Sequence, residues 1–581
     1  MSEKIIEQPA IVSASISSSS NHHPSSSTGT DGVSTHTDSS TTVIESTIID
    51  PEKRDDGQII LPPTIVSEPE YLTGFKLFCV VVSLLSAIFC VSLDSTILAT
   101  VIPSITSDFD TIEDIAWYGS AYLLTSCSLQ MFYAKLYTYH NVKWVFLFAL
   151  FLFELGSLVC GIAPTSTALI IGRAIAGCGS AGLFTGVTTG VSLIAPLKNR
   201  PLIINAAGGL YAFNSIIGPI VGGTLTDALN WRWCFYINLP IGVITLAGVL
   251  LYLRSGHDTG DKKKTSFGRE WIMRYDPIGN SFLVCAVVTL LLAIEWGGNT
   301  YAWDSPRIIV LFVICGLSIA VFAAVQIWQG EKSVLPPRIM KVRSIPFGSL
   351  FIFCIGSSTF PTLYYLPIWF QAIKGDSAIM SAVHMLPTAL SALSGTTFAG
   401  TMSTRIGYYM PFACACCVFM PLGAGLLMTI EVDFPTAKWI GYQVLYGFGI
   451  GMGFQQANVA VQASVAVKDV PIGSSIMFSS QLLGSSIFNA VAQNIFTSNL
   501  KRNIGALRLS DFTPQNAVDV GVTEIRDNVS IAELPVVLVA YNEALMKVFQ
   551  LSLITSCMAV IGVAGMKWMP LRQRKPPADN S

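Results

Sequence analysis

The chain has 581 residues, of which 34 are Lys or Arg and 36 Asp or Glu, so 12% are charged against 51% hydrophobic. Soluble chains carry roughly 25% charged residues, so a water-soluble fold is excluded, as is disorder of the whole chain. Thirteen Cys in this length make no disulfide framework, and a formal net charge of −2 offers nothing to a nucleic-acid backbone. The mean hydropathy of +0.57 leaves one class, an all-α polytopic membrane protein.

Residues 1–73 are polar and rich in Ser and Thr, as in Ser17–Ser20, and are expected to form a disordered tail. No apolar signal-peptide segment is found there, so the first apolar helix is expected to act as the membrane signal. From Phe75 onward, apolar runs of about 20 residues, long enough to cross a bilayer, alternate with short polar breaks. Fourteen spans are expected, at 75–98, 115–134, 144–163, 168–190, 203–224, 233–253, 277–296, 307–328, 347–370, 378–400, 409–429, 437–462, 472–496 and 547–569. The second and tenth carry more polar side chains than the others.

An even number of spans places both termini on one side. Loops on that side hold Lys135, Lys143, Lys198, Arg200, Lys262, Lys263 and Lys264, whereas the first opposite loop holds Asp108, Asp110, Glu113 and Asp114. The excess of positive charge in cytoplasmic loops therefore predicts cytoplasmic termini. The expected location is the plasma membrane, with the vacuolar membrane as the alternative. The sequon Asn528-Val529-Ser530 falls in the long outer loop 497–546, which makes Asn528 a candidate glycosylation site.

Charges at membrane depth are few. Asp94, in Leu93-Asp94-Ser95-Thr96-Ile97, is a carboxylate well inside an apolar run. Such a group must be paired, hydrated or protonated and is a functional candidate, here for proton coupling. The alternative is a packing or capping Asp near the outer interface. Arg173 cannot shed its proton and needs a carboxylate, carbonyl or water-filled cavity. Glu154, in Phe153-Glu154-Leu155-Gly156, is a second buried carboxylate that would partner Arg173 or another cation. Gly177, Gly179 and Gly182 fit G-x-G-x-x-G, but no strand precedes them, and close helix packing is the better reading. In the fifth run Gly218 and Gly222 share a helix face, Gly223 follows, and Pro219 removes an amide donor and kinks the helix.

These stretches together resemble the major facilitator superfamily, and within it the fourteen-span drug:proton antiporters, most of all fungal efflux pumps for mycotoxins and other secondary metabolites. Leu93 through Ile97 is similar to the family's first-helix motif. Arg173 with Gly177, Gly179 and Gly182 is similar to its fourth-helix arginine motif, implicated in proton transfer. Gly218-Pro219 with Gly222-Gly223 is similar to the antiporter signature. Trp231-Arg232-Trp233 through Asn238-Leu239-Pro240-Ile241-Gly242 is typical of the fourteen-span branch. The resemblance implies a major facilitator fold, with an N-terminal six-helix bundle at 74–255 and a C-terminal one at 345–570. Two extra helices with a cytoplasmic loop and linker would lie at 256–344, and a cytoplasmic tail at 571–581. The family's loop pattern Gly-x-x-x-Asp-Arg-x-Gly-Arg is altered here to Ala134 through Lys143, with Thr138 for the Asp. Gly400 through Gly407 is its counterpart and again has Thr for Asp, which supports two related halves.

Asn214, Gln455, Gln456, Gln481 and Asn489 are candidate cavity residues, since neutral amides can hydrogen-bond a cargo; the alternative is interhelical bonding. Gln493 joins them as a notable polar residue. His384 reads as a packed histidine, and Cys414, Cys416 and Cys417 as packing thiols, with no metal site expected. The expected function is proton-coupled export of amphipathic small organic molecules by alternating access. Asp94, Arg173 and Glu154 would couple the proton, and Gly218, Pro219, Gly222 and Gly223 would bias the cycle toward antiport. The partners are a small-molecule substrate, protons and the lipid bilayer, with no nucleic acid and no cofactor, and the chain is expected to act as a monomer. The alternatives are an importer of a nutrient or siderophore and, from another class, a membrane sensor. No nucleotide-binding loop or enzyme motif is present, so the protein is not expected to be an enzyme.

Overall fold

The computed structural model describes residues 73–109, 115–253, 275–298, 301–507, 509, 513, 529–530 and 532–571. Asn528 and all but residues 73 and 571 of the tails expected at 1–73 and 571–581 lie outside the described residues. The long helices are α1 (Gly74–Phe109), α2 (Ile115–Tyr139), α3 (Val142–Ile162), α4 (Ser166–Ile194), α5 (Arg200–Ala228), α6 (Trp233–Tyr252), α7 (Pro277–Trp296) and α8 (Pro306–Gln329). After them come α9 (Ser344–Trp369), α10 (Leu386–Ile406), α11 (Met410–Leu427), α12 (Thr436–Gly453), α13 (Val470–Leu507) and α14 (Leu534–Gly565).

Local chemistry sets many of the starts. The side chains of Asn141, Thr165 and Ser305 cap α3, α4 and α8 by accepting from Lys143 N, Ala168 N and Ile308 N. Pro201, Pro277 and Pro306 sit in first turns, where a missing amide hydrogen costs nothing. Among the described residues nine helical segments are long and apolar enough to cross a membrane, and the two arms of α5 would make a tenth. The helices α2, α10, α12 and α13 fall short on composition because their polar side chains point inward. Ser474, Ser475, Gln481 and Ser485 of α13, for example, are all buried. The lipid-facing side is apolar, as at Leu317 and Ile327 of α8, 62% and 82% exposed.

The packing pattern occurs twice. In the first six helices the principal neighbours are α1 with α5, α2 with α4, α3 with α4, α1 with α6 and α3 with α6. In the last six they are α9 with α13, α10 with α12, α11 with α12, α9 with α14 and α11 with α14. The halves meet through α2 against α13 and α5 against α10, again equivalent pairs. A sequence folding twice into one packing scheme is what an internal repeat produces. The extra pair, α7 and α8, packs on itself and beside α2 and α13. Close approach is needed where α3 meets α4: a side-chain carbon on Gly156 would strike the Ala176 backbone, and one on Gly179 would strike Phe153.

Several ends differ from those expected. The helix α1 runs to Phe109 and α13 to Leu507, while α14 begins at Leu534 instead of 547, so the loop expected at 497–546 is shortened from both sides. Hydropathy finds only the part of a helix at hydrocarbon depth, whereas backbone hydrogen bonding carries it into the polar interface. The tenth run breaks at Met385, before Pro387 at the start of α10.

A buried polar hub anchors the extra pair. Asp276 is the only non-glycine residue with positive φ (47°) among the described residues, and it is 0% exposed. Its carboxylate accepts from Gly279 N, Gln326 Nε2, Gln329 Nε2 and Val334 N at 2.8, 2.8, 2.7 and 3.2 Å. Nearby, the buried Lys135 at the end of α2 donates to Lys332 O at 3.1 Å.

Candidate functional site

The polar segment of α1 meets α4, α5 and α6. Asp94 and Arg173 are 0% and 1% exposed, and Arg173 Nη1 donates to Asp94 Oδ2 at 2.6 Å. Arg173 Nε donates to the Tyr118 carbonyl at 2.9 Å, and the guanidinium lies 4.5 Å from the Tyr122 ring centroid. A cation that cannot deprotonate is thus met by a carboxylate, a carbonyl and an aromatic face. Asn238 Nδ2 reaches Asp94 Oδ1 at 3.4 Å and Ser157 Oγ at 3.2 Å. Asn238 starts the longer arm of α6, which is interrupted at Ile237 because Pro240 cannot donate to the Tyr236 carbonyl.

Glu154 does not partner Arg173. Both its carboxyl oxygens are buried with no hydrogen-bond partner among the described residues, and they fill the space left by Gly242 of α6. The packing of α3 aims Glu154 at α6, whereas Arg173 on α4 turns toward α1 and α2.

The four residues of the antiporter-like motif divide. Gly218 lies against Thr96, and Gly222 against Thr100 and Ile97, where any added side chain would collide. Gly223 has open space around it. The arms of α5, Arg200–Ser215 and Ile217–Thr226, are bent by 43°. The Pro219 ring clashes with the carbonyl four residues earlier, that of Ser215. Thr96 Oγ1 donates to the Asn214 carbonyl at 3.0 Å, which ties α1 to this bend.

An open cavity lies between the halves, with about 830 Å³ of unoccupied space that includes its opening to solvent. It is lined by Val91, Ser95, Tyr122, Phe184 and Tyr211 from the first half and Phe360, Phe454, Gln455, Phe478 and Gln481 from the second, among others. A second space of about 510 Å³ shares Tyr211, Phe360 and Phe454 with it. No charged side chain lines either. Rings face each other across the halves, Phe184 with Phe478 at 5.3 Å and Tyr211 with Phe454 at 6.1 Å.

Of the five expected cavity amides, Gln455 and Gln481 line the cavity. Asn214 does not: it is 0% exposed and donates to Phe89 O at 2.9 Å and to Ser92 Oγ, joining α5 to α1. Gln456 reaches Asn205 Oδ1 at 3.4 Å across the halves, and Asn489 lines neither space. Gln493 accepts from Tyr365 Oη at 2.5 Å. His384 packs as expected, its Nδ1 2.7 Å from Asp376 Oδ2 and its ring between Phe370 and Trp439. Sequence reasoning did not single out Tyr122, which touches both Arg173 and the cavity, nor the bridging Asn238. Aromatic residues in apolar runs carry no mark of which way they face. The Asn238 signal was its place before Leu239-Pro240 in an otherwise apolar run.

The end of the cavity toward residues 196–199 and 465–469 is sealed by bonds between the halves. Arg200 Nη1 donates to Gln462 Oε1 at 3.1 Å, Gln462 Nε2 to Thr188 O at 3.0 Å, and the Thr185 and Ser475 hydroxyls pair at 2.9 Å.

A multi-pass helical membrane protein with two equivalent six-helix halves around a shared central cavity has the architecture of a transporter. The chain belongs to the Major Facilitator Superfamily, whose family model matches residues 84–489. It is 43% identical over 505 residues to the efflux pump aflT of Aspergillus parasiticus, covering 87% of this chain and 98% of that protein. It is 41% identical to the rubrofusarin-specific efflux pump aurT of Gibberella zeae, covering 86% and 91%. Among solved structures, the proton:xylose symporter XylE superposes with a TM-score of 0.54 at 12% identity, covering 85% of this chain and 98% of that one. The human organic anion transporter MFSD10 (TETRAN) gives 0.52 at 12% identity, covering 83% and 100%. At such identities these two likenesses speak to fold alone.

Proposed function

We propose that this protein is a proton-coupled exporter of amphipathic small organic molecules, of the fourteen-span drug:proton antiporter branch. It crosses the plasma membrane fourteen times as a monomer, with both termini in the cytoplasm and no cofactor. The observation that carries this reading is the uncharged, aromatic-lined cavity shared by the two halves, connected through Tyr122 to the buried Asp94–Arg173 pair. Apolar walls with a few amides select amphipathic cargo, and a desolvated carboxylate within reach of an arginine is a natural place to exchange a proton. The relatives named as efflux pumps support the direction of transport.

Two equivalent halves around one cavity support alternating access. The halves rock about the cavity, and the Arg200–Gln462 and Thr185–Ser475 bonds close its cytoplasmic side in the conformation described. Protonation of Asp94 removes the charge that Arg173 faces and loosens α1 from α4. Gly218 and Gly222 let α1 and α5 stay in close contact around the Pro219 bend. The test is accumulation of a fluorescent hydroxyanthraquinone in cells that produce the protein. The reading requires lower accumulation than in control cells, restored by a protonophore; equal accumulation across a panel of neutral aromatic compounds would count against it.

A further inference from the structure

Glu154 lies past the middle of α3 with both carboxyl oxygens buried and without a hydrogen-bond partner among the described residues. The site is built for it, because Gly242 on α6 leaves the room the carboxyl occupies. One turn away on the same helix, Asn238 is 0% exposed, and its Oδ1 is also an orphan acceptor. An ionised carboxylate here would be a charge at membrane depth with neither donor nor cation, an arrangement proteins avoid. A protonated carboxyl carries no such charge and adds a donor to a locale that has only surplus acceptors.

The titratable groups around it do not change this. From α1, Cys90 and Asp94 lie near enough to feel its charge, and both are repulsive to an anion when ionised. From α4, Arg173 is spent on Asp94, the Tyr118 carbonyl and the Tyr122 ring. On α6 the facing residues Asn238 and Gly242 are uncharged, and Cys160 on α3 itself bonds the Leu169 carbonyl.

We propose that Glu154 is a second proton-binding site, loaded in this conformation beside the Asp94–Arg173 pair. Asn238, bonded to Asp94 and to Ser157 of α3, lies one turn from the Gly242 that faces Glu154. This inference rests on the N-terminal half being the proton-coupling half.

The test is infrared spectroscopy on the purified full chain in lipid, reading the carbonyl stretch of protonated carboxylic acids at neutral pH. The wild type shows a buried-acid band that Glu154→Gln loses, Glu154→Asp shifts and Asp94→Asn retains. A companion measurement in proteoliposomes reads protons moved per hydroxyanthraquinone, which falls in Glu154→Gln while thermal stability is kept. A band unaltered in both Glu154 variants overturns the proposal, as does a lost band with an unchanged proton ratio. Asp94→Asn with wild-type pH-driven transport would instead overturn the coupling reading and leave the infrared assignment of Glu154 standing.

Discussion

Arg173 Nη1 lies 2.6 Å from Asp94 Oδ2, and neither side chain is more than 1% exposed. Removing one member of such a pair strands the other in an apolar interior. Asp94→Asn and Arg173→Gln are each expected to lower stability by ~3–5 kcal/mol. The Asp94→Asn/Arg173→Gln double variant is expected to recover part of that loss, since it leaves no unpaired charge. Thermal unfolding of the four proteins in detergent reads this directly; additive losses in the double variant would mean the pair is not coupled.

The glycines of α5 give a contrast within one motif. Gly218→Ala and Gly222→Ala push side chains into Thr96 and Thr100, and are expected to cost ~1–3 kcal/mol and to slow transport. Gly223→Ala meets open space and is expected to leave both stability and transport near wild type, within about 0.5 kcal/mol. Comparison of the three at equal expression separates contact with α1 from a general intolerance of side chains in α5.

Gln481 is the amide of α13 at the cavity wall, next to the apolar Phe478. Gln481→Leu removes one hydrogen bond to a hydroxylated cargo, worth ~0.5–1.5 kcal/mol, and is expected to raise its KM about two- to tenfold. The KM for a similar cargo without hydroxyls should stay unchanged. Phe478→Ala, which removes a ring facing Phe184, is expected to weaken both. Transport kinetics on the paired cargoes check the split.

Asp276 accepts four hydrogen bonds at the base of the extra helix pair. Asp276→Asn turns an amide donor toward groups that are already donors, and is expected to cost ~2–4 kcal/mol. Protease sensitivity should rise between α8 and α9, where Val334 N loses its acceptor.

What the sequence made legible was charge and proline. Asp94, Glu154 and Arg173 stand out because ionisable residues are scarce in apolar runs, and Pro219 and Pro240 mark the points where α5 bends and α6 is interrupted. Pairing was not legible: sequence left Glu154 open to Arg173 or another cation, because the choice depends on the rotation of α3 and α4 about their axes. The amides were read with a similar limit. Asn214 and Gln481 look alike in an apolar run, yet one bonds α5 to α1 and the other faces the cavity. The inner helices α2, α10, α12 and α13 are diluted in hydropathy by the polar side chains they turn inward, so composition alone understates them.

The most direct measurement of the central claim is uphill transport by the purified chain in proteoliposomes under an imposed pH gradient, wild type against Asp94→Asn. The wild type is expected to concentrate the hydroxyanthraquinone on the acidic side and to lose that gradient on addition of a protonophore. Asp94→Asn is expected to equilibrate the cargo without concentrating it. Concentration by Asp94→Asn equal to that of the wild type would contradict the account.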